Sequence, residues 1–469
     1  MIDARSRTRA ALSQQRFDLL VLGGGATGLS VAHDASDRGL SVALVEARDF
    51  AQGTSSRATK LLHGGVRYLA QGNIALVREA LHERTVLMRN APHLAQALPF
   101  LIPIASQARR LFYGAGLHVY DLLAGKDSLG PTRWMDARQL RQASPHLRAD
   151  HLKGAVVYTD GQFDDARLAI AIARTAAKQG ALLLNHAEVT GLIQAGQGAT
   201  PRVAGAHVRD TLSGDTFEIQ ASCVVNATGV WVDDILRMQH GQSEARPRVR
   251  PSQGIHAVLA GDWLDGRHAV LVPRTRDGRV LFAVPWLGHT ILGTTDTPVQ
   301  KRDTEPQALD EELDFLFDEA CALFDRTLHR RDILSLWAGL RPLVGSPGSG
   351  QPATRRLSRE HSIWVDDSAL VTVTGGKWTT CRAMAQDVLE SCLRAGLLPD
   401  RAPCRTADLP LVGATTAKHA LTGAPGLHLY GNEADRVARL PGAHRMLGGE
   451  VSEAMVRFAA REEWAVHVG

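Results

Sequence analysis

The chain has 469 residues, 44% hydrophobic and 22% charged, which suits two or three globular domains and excludes a disordered or fibrous class. Its 53 basic and 49 acidic side chains nearly balance at +4 with no long basic run, so composition gives no argument for nucleic-acid binding. No apolar stretch approaches the length that spans a bilayer, residues 1–16 lack the apolar core of a signal peptide, and the five scattered cysteines show neither CxxC nor zinc spacing. That pattern points to reduced thiols in a cytosolic setting and to no metal site.

Residues 1–16 read as a loose N-terminal extension. Residues 19–22 are a short apolar run, the mark of a strand buried on both faces. Gly23-Gly24-Gly25-Ala26-Thr27-Gly28 follows, then a helical pattern over 26–38 closed by Gly39, then a second apolar run over 40–45 ending in Glu46. This is a βαβ unit with GxGxxG at the strand-to-helix turn. Gly23 permits the tight turn, Gly25 lets the backbone approach a pyrophosphate, and Gly28 lets the helix pack on the strand. Ala26 and Thr27 begin the helix, whose N–H groups and positive dipole end face the phosphates. Glu46 is placed for an adenosine ribose. The pattern predicts a dinucleotide site and does not by itself separate FAD from NAD.

Residues 47–68 (ARDFAQGTSSRATKLLHGGVRY) are rich in Gly, Ser and Thr yet carry Lys60, His63 and Arg67. Small hydroxyls and glycines let backbone N–H groups reach a ligand. GTSSRATKLLHGGVRYL resembles the ATSSxxSKLxHGGxRYL stretch of the FAD-dependent (respiratory) glycerol-3-phosphate dehydrogenases. It differs at Gly53 and Thr59, where Ala and Ser are usual. The resemblance also takes in the opening βαβ unit and four later stretches, so it runs over roughly the first four-fifths of the chain.

A helix is expected over 72–91, after which Pro92, Pro99 and Pro103 break the chain. Residues 107–123 mix apolar, aromatic and basic side chains. They fit a helix packed on the substrate domain or one lying on a membrane surface, and Gly114 and Gly116 weaken both readings. Asp164-Asp165 and Gly180 bracket the next helix. Residues 203–208 and 216–219 flank Ser213-Gly214 as a hairpin. A strand over 223–226 then delivers Asn226-Ala227-Thr228-Gly229. This resembles the second cofactor-proximal motif of FAD-dependent oxidoreductases and favours FAD.

Short strands at 254–259, 268–272, 280–285 and 290–292 predict an antiparallel sheet. Gly293-Thr294-Thr295-Asp296 matches the family's GTTD. Ser252-Gln253-Gly254-Ile255-His256 matches its SKGxH with Gln253 in place of Lys, which removes a cation that would sit at the substrate if the lysine normally assists binding. A helix is expected over 309–324. Residues 334–344 (LSLWAGLRPLV) match W/Y-x-G-x-RPL and supply Arg341; 345–350 read as a flexible loop; Pro352-Ala353-Thr354-Arg355 matches the stretch that supplies a second arginine. Strands at 362–365 and 370–374 lead into Gly375-Gly376-Lys377-Trp378-Thr379-Thr380 and a helix to Arg394. GGKxTT at such a junction resembles the closing FAD motif, with Cys381 where Tyr is common. Residues 400–469 suggest a small helical domain, helical over 457–464. The family usually runs further, so this domain is expected to be short or clipped.

The fold class expected is α/β. It comprises a Rossmann-like FAD-binding domain (17–95, 160–245 and 345–398), a mainly antiparallel-sheet α+β substrate domain (96–159 and 246–344) and a small helical C-terminal region (399–469). The resemblance implies FAD contacts at Gly23, Gly25, Ala26, Thr27, Gly28, Glu46, Thr54, Ser55, Ser56, Lys60, Leu62, His63, Gly64, Ala227, Thr228, Gly229, Gly375, Gly376, Lys377 and Thr379. It implies oxidation of sn-glycerol 3-phosphate to dihydroxyacetone phosphate, with hydride passing from C2 to flavin N5 and electrons going on to a quinone. Arginine forks suit a phosphate dianion. Arg341 and Arg355 are therefore substrate-binding candidates, with Arg67, Tyr68, Thr294 and Lys377 beside them. His63, His256 and Arg341 are the catalytic candidates, a histidine being the usual acceptor for the hydroxyl proton. The alternatives are a glycerol-3-phosphate oxidase using oxygen and a catalytically decayed flavin-binding protein; an amino-acid oxidase would not want the paired RPL and GTTD motifs. A homodimer, peripheral on the inner face of the cytoplasmic membrane, completes the expectation.

Overall fold

Two sheets carry the molecule in the computed structural model, which describes residues 2–69, 72–196, 201–240, 247–261, 263–344, 360–416 and 421–467. The first grows from Arg16–Leu22, which pairs in parallel with Val42–Val45 on one side and Thr216–Asn226 on the other. Leu182–Leu184 and Leu370–Gly375 extend it, again in parallel. Leu19 to Leu22, Ala43 and Leu44 are fully buried, as parallel strands covered on both faces must be. Helices Ala26–Asp37, Asp165–Lys178 and Cys381–Arg394 cover one face.

The ribbon Ala187–Ala195 and Arg202–Asp210 extends the sheet from Thr216–Asn226 in antiparallel fashion. The second arm of the expected hairpin (216–219) and the NATG strand (223–226) are thus one continuous strand. The opening residues depart from the expected loose extension. Ile2–Gln14 is a helix with Leu12 fully buried. Arg5 donates to Asp210 and Asn185, both at 3.1 Å, and Arg9 to Asp215 at 2.5 Å. Its attachment is mainly polar, which is why hydrophobic periodicity did not reveal it.

The second sheet is mainly antiparallel. Val249–Leu259 pairs along its length with Ile333–Val344, and on its other edge with His289–Gly293 and Thr297–Pro298. Leu281–Trp286, Ala269–Val272, Ala95–Ile104 and Gly154–Phe163 follow in order. Among the described residues, only Ala269–Val272 with Ala95–Ile104 is parallel in this sheet. Pro99 and Pro103 do not break the chain as expected but lie inside Ala95–Ile104. That strand is paired throughout with Gly154–Phe163, while its other neighbour reaches only Phe100 and Leu101, leaving room for nitrogens without a proton.

Alternation along Val249–Leu259 sends Ile255 and Ala257 into a core with Leu313, Leu316 and Phe324, and turns Gly254 and His256 to the opposite face. The C-terminal region packs back on the first unit. Arg167 grips Glu463 at 2.9 Å, Arg174 grips Glu433 at 2.5 Å, and Trp464 stands edge-on to Phe50 at 5.3 Å. The helix expected over 457–464 is observed as Glu453–Glu462, and Trp464 leaves it at φ 56.

Candidate active site

A cleft opens at the carboxyl ends of the central parallel strands, where ligands bind in open α/β sheets. Gly23 leaves its strand at φ +105, and a Cβ there would stand 2.7 Å from the carbonyl oxygen of Ala227. A Cβ on Gly28 would stand 1.9 Å from the Gly23 carbonyl oxygen, so the helix seats directly on the turn. The Glu46 carboxylate accepts from Gly24 N–H at 2.7 Å and Arg48 N–H at 2.9 Å; burial raises its pKa against those two bonds. Ser55 Oγ accepts from Ala26 N–H at 2.9 Å.

Gly23, Gly25, Ala26, Thr27, Glu46, Thr54, Ser55, Ala227, Thr228, Gly229, Gly375, Gly376 and Lys377 all line this cleft. Bare backbone at the glycines, a helix N-terminus and a carboxylate at one end fit a dinucleotide. A side chain at Gly25 would intrude into that cradle, with its Cβ 3.2 Å from Ser55 Oγ.

At Thr54, Pro342 and 375–378 the cleft continues into a second pocket, lined by Arg57, Thr59, His63, Tyr68, Gly254, His256, Phe282, Arg341, Lys377 and Thr379 among others. Arg341 Nη2 donates to Thr294 Oγ1 at 2.8 Å, and Nη1 lies 3.9 Å from Asp296, which Ser252 also binds. Lys377 Nζ stands 3.9 Å from the centre of the Tyr68 ring. His256 Nε2 is 2.8 Å from Thr59 Oγ1, and its ring stacks on Trp337 at 5.3 Å. Burial, then the charges of Arg341 and Lys60, hold the His256 pKa well below its ordinary value, so the imidazole is neutral.

Five residues expected at the cofactor line neither space: Gly28, which packs on the Gly23 turn, and Ser56, Lys60, Leu62 and Gly64. Lys60 is buried beneath the loop, donating to Asp165 at 2.5 Å and to the Ser56 carbonyl at 2.8 Å. Leu62 is fully buried in a strand beside Gly161. Gly64 N–H is turned away, to Tyr120. Ser56 is held by Lys60. His63 and Thr379 line the second pocket rather than the cleft.

Gln253 does not face the pocket either. It is 4% exposed, on the far side of its strand from His256, and donates to Glu312 at 2.8 Å and the Gln307 carbonyl at 2.9 Å. The Lys-to-Gln difference therefore removes no cation from the substrate side. The Arg67 side chain, the loop 345–350 and Arg355 lie outside the described residues. Sequence reasoning missed Arg48, residues 187–189 and Trp231 in the cleft, and Arg57 and Phe282 in the pocket. Arg57 falls at an unspecified position inside the GTSSRATKLLHGGVRYL stretch; the others sit in no motif and arrive through tertiary packing.

The two-sheet fold with its strand-end cleft defines an FAD-dependent oxidoreductase, and residues 18–390 match the FAD dependent oxidoreductase family. The mitochondrial glycerol-3-phosphate dehydrogenase SDP6 of Arabidopsis thaliana is 39% identical across 97% of this chain and 78% of its own length. The mitochondrial enzyme of Homo sapiens is 42% identical across 85% of this chain; the match takes in 55% of the human protein's length. The FAD-complexed glycerol-3-phosphate dehydrogenase of Bacillus halodurans superposes with a TM-score of 0.76 at 29% identity, over 98% of this chain and 86% of that one. The chain belongs to the FAD-dependent glycerol-3-phosphate dehydrogenase family, and FAD is its cofactor.

Proposed function

We propose that this chain oxidises sn-glycerol 3-phosphate at C2 to dihydroxyacetone phosphate. The observation that carries the reading is the convergence of Arg341, Lys377, His63 and His256 in one pocket continuous with the cofactor cleft. FAD, when bound, supplies the acceptor for the hydride. Arg341 and Lys377 bring two positive charges to a phosphate dianion, the arginine as a planar fork. Thr294 fixes that fork by accepting from Nη2. The Tyr68 ring beneath Lys377 restrains the ammonium by a cation–π contact.

The C2 hydroxyl must lose a proton as its hydrogen leaves. His256 lines the pocket as a neutral imidazole and is placed to accept it, a bound phosphate dianion offsetting the Arg341 charge that disfavours its protonation. His63, across the same pocket, orients the hydroxyl.

Electrons pass on to a quinone in this reading. Helix Gln107–Ala124 supports a seat on a membrane surface. Leu111, Phe112 and Leu122 are 73%, 66% and 79% exposed beside Arg109 and Arg110, and no helix among the described residues is long and apolar enough to cross a membrane. A homodimer on the inner face of the cytoplasmic membrane belongs to the same reading.

The test is anaerobic mixing of the FAD-loaded protein with sn-glycerol 3-phosphate. Bleaching of the visible flavin band is expected, with reoxidation faster by a quinone than by oxygen. A flavin band that stays unbleached refutes the substrate, and faster reoxidation by oxygen makes the protein an oxidase.

A further inference from the structure

Behind the substrate pocket lies a buried polar chain that takes no part in the chemistry above. Arg84 Nη1 donates to Asp160 Oδ1 at 2.9 Å, Tyr120 OH donates to Asp160 Oδ2 at 2.6 Å, and Gly64 N–H donates to Tyr120 OH at 2.9 Å. Arg84 also donates to the Asp127 carbonyl at 2.6 Å, and Gly161 N–H to Asp160 Oδ1 at 3.1 Å. Arg84, Tyr120 and Asp160 are each 1% exposed. Gly64 follows His63 directly, and its contact with Tyr120 excludes any side chain: a Cβ there would stand 2.5 Å from the hydroxyl.

We propose that Tyr120 is a positioning residue for the oxidation, holding the His63-Gly64-Gly65 loop through the Gly64 N–H and so setting where His63 meets the substrate. This rests on the function proposed above. The hydroxyl has one proton and spends it on Asp160, so its lone pairs are what Gly64 receives. Burial and Asp160 hold the phenol's pKa well above its ordinary value, so the bridge stays protonated at any assay pH. On the pocket side, Thr379 Oγ1 lies 3.5 Å from the His63 carbonyl oxygen. The loop is therefore held from two elements, the closing GGKxTT motif and helix Gln107–Ala124. Replacing Tyr120 by Phe leaves a buried N–H and a buried carboxylate oxygen each short of a partner, and the loop is what can move to relieve it.

The experiment uses full-length, FAD-loaded Tyr120→Phe beside the wild type. Three results are expected together: unchanged FAD content, faster amide hydrogen exchange in the peptide spanning residues 61–66, and anaerobic flavin bleaching by sn-glycerol 3-phosphate slowed about 10- to 100-fold, the scale on which misplacing a reacting group acts. The half-saturating substrate concentration should move by less than about threefold, since Arg341 and Lys377 are untouched. Exchange and bleaching both at wild-type values overturn the proposal. So does slowed bleaching without faster exchange, or a lowered melting temperature alone. Should the variant fail to hold FAD, Asp160→Asn carries the test by the same criteria. A wild type that does not bleach overturns the proposed function and this inference with it; a normal wild type with a normal variant overturns this inference alone.

Discussion

The guanidinium of Arg341 lies across Gly254 so closely that a Cβ on the glycine would stand 2.1 Å from Nη2 and 2.6 Å from Cζ. A methyl group and the fork cannot share that space. Gly254→Ala should push Arg341 off Thr294 and raise KM for sn-glycerol 3-phosphate about 10- to 100-fold, the 1.5–3 kcal/mol of a hydrogen bond to a charged group. FAD content and kcat should change far less. Steady-state kinetics check this, and an unchanged KM would remove Arg341 from phosphate binding.

Gln253 faces Glu312 rather than substrate. Thr295 and Thr297 also donate to that carboxylate, at 2.7 and 2.8 Å. Gln253→Lys should leave KM within about threefold and form an ion pair with Glu312. Gln253→Ala takes one donor from a buried carboxylate and should cost about 1–3 kcal/mol in urea unfolding. A KM that falls tenfold in the lysine variant would put this position back at the substrate.

Gly23→Ala tests the cradle. The left-handed φ of +105 and the 2.7 Å approach to Ala227 oxygen both oppose a methyl group. The expected product is a folded protein purified without its yellow band, and loss of FAD should exceed any loss of far-UV circular dichroism.

Acid should destabilise the protein through His93. Burial first, then Arg167, lowers its pKa to about 4, and its Nδ1 has no hydrogen-bond partner among the described residues. In the unfolded chain a histidine protonates near its ordinary value of 6.5. Between 6.5 and about 4 the unfolded state therefore binds more protons, and stability falls as pH drops through that window. The slope is about 1.4 kcal/mol per pH unit for this group. His93→Gln should flatten it in urea melts at several pH values; an unchanged slope would assign the acid sensitivity elsewhere, with His256 next in line.

The opening βαβ unit was legible because its information is local. Gly23, Gly25, Gly28 and Glu46 lie within one short stretch, and each is required by backbone geometry close to its own position in the chain. The NATG and GGKxTT stretches were legible for the same reason, each being a strand end carrying its own turn. Lys60 was misread because a motif position says nothing of direction: it sits at φ 62 with its ammonium turned to Asp165. The helix Ile2–Gln14 escaped because arginine-to-aspartate contacts hold it, and these leave no period in the sequence.

Local sequence determined the class of fold, the dinucleotide turn and the set of residue types from which a phosphate and hydroxyl site could be made. Strand alternation, glycine turns and helix ends are governed by forces acting over a few residues. The tertiary structure decided which of those residues share a space. Register between Val249–Leu259 and Ile333–Val344 brings Ser252 opposite Arg341, turning Gly254 and His256 toward the pocket and Gln253 away from it. A shift of one residue would exchange those faces, and the packing of Ile255 and Ala257 into the core beneath opposes it.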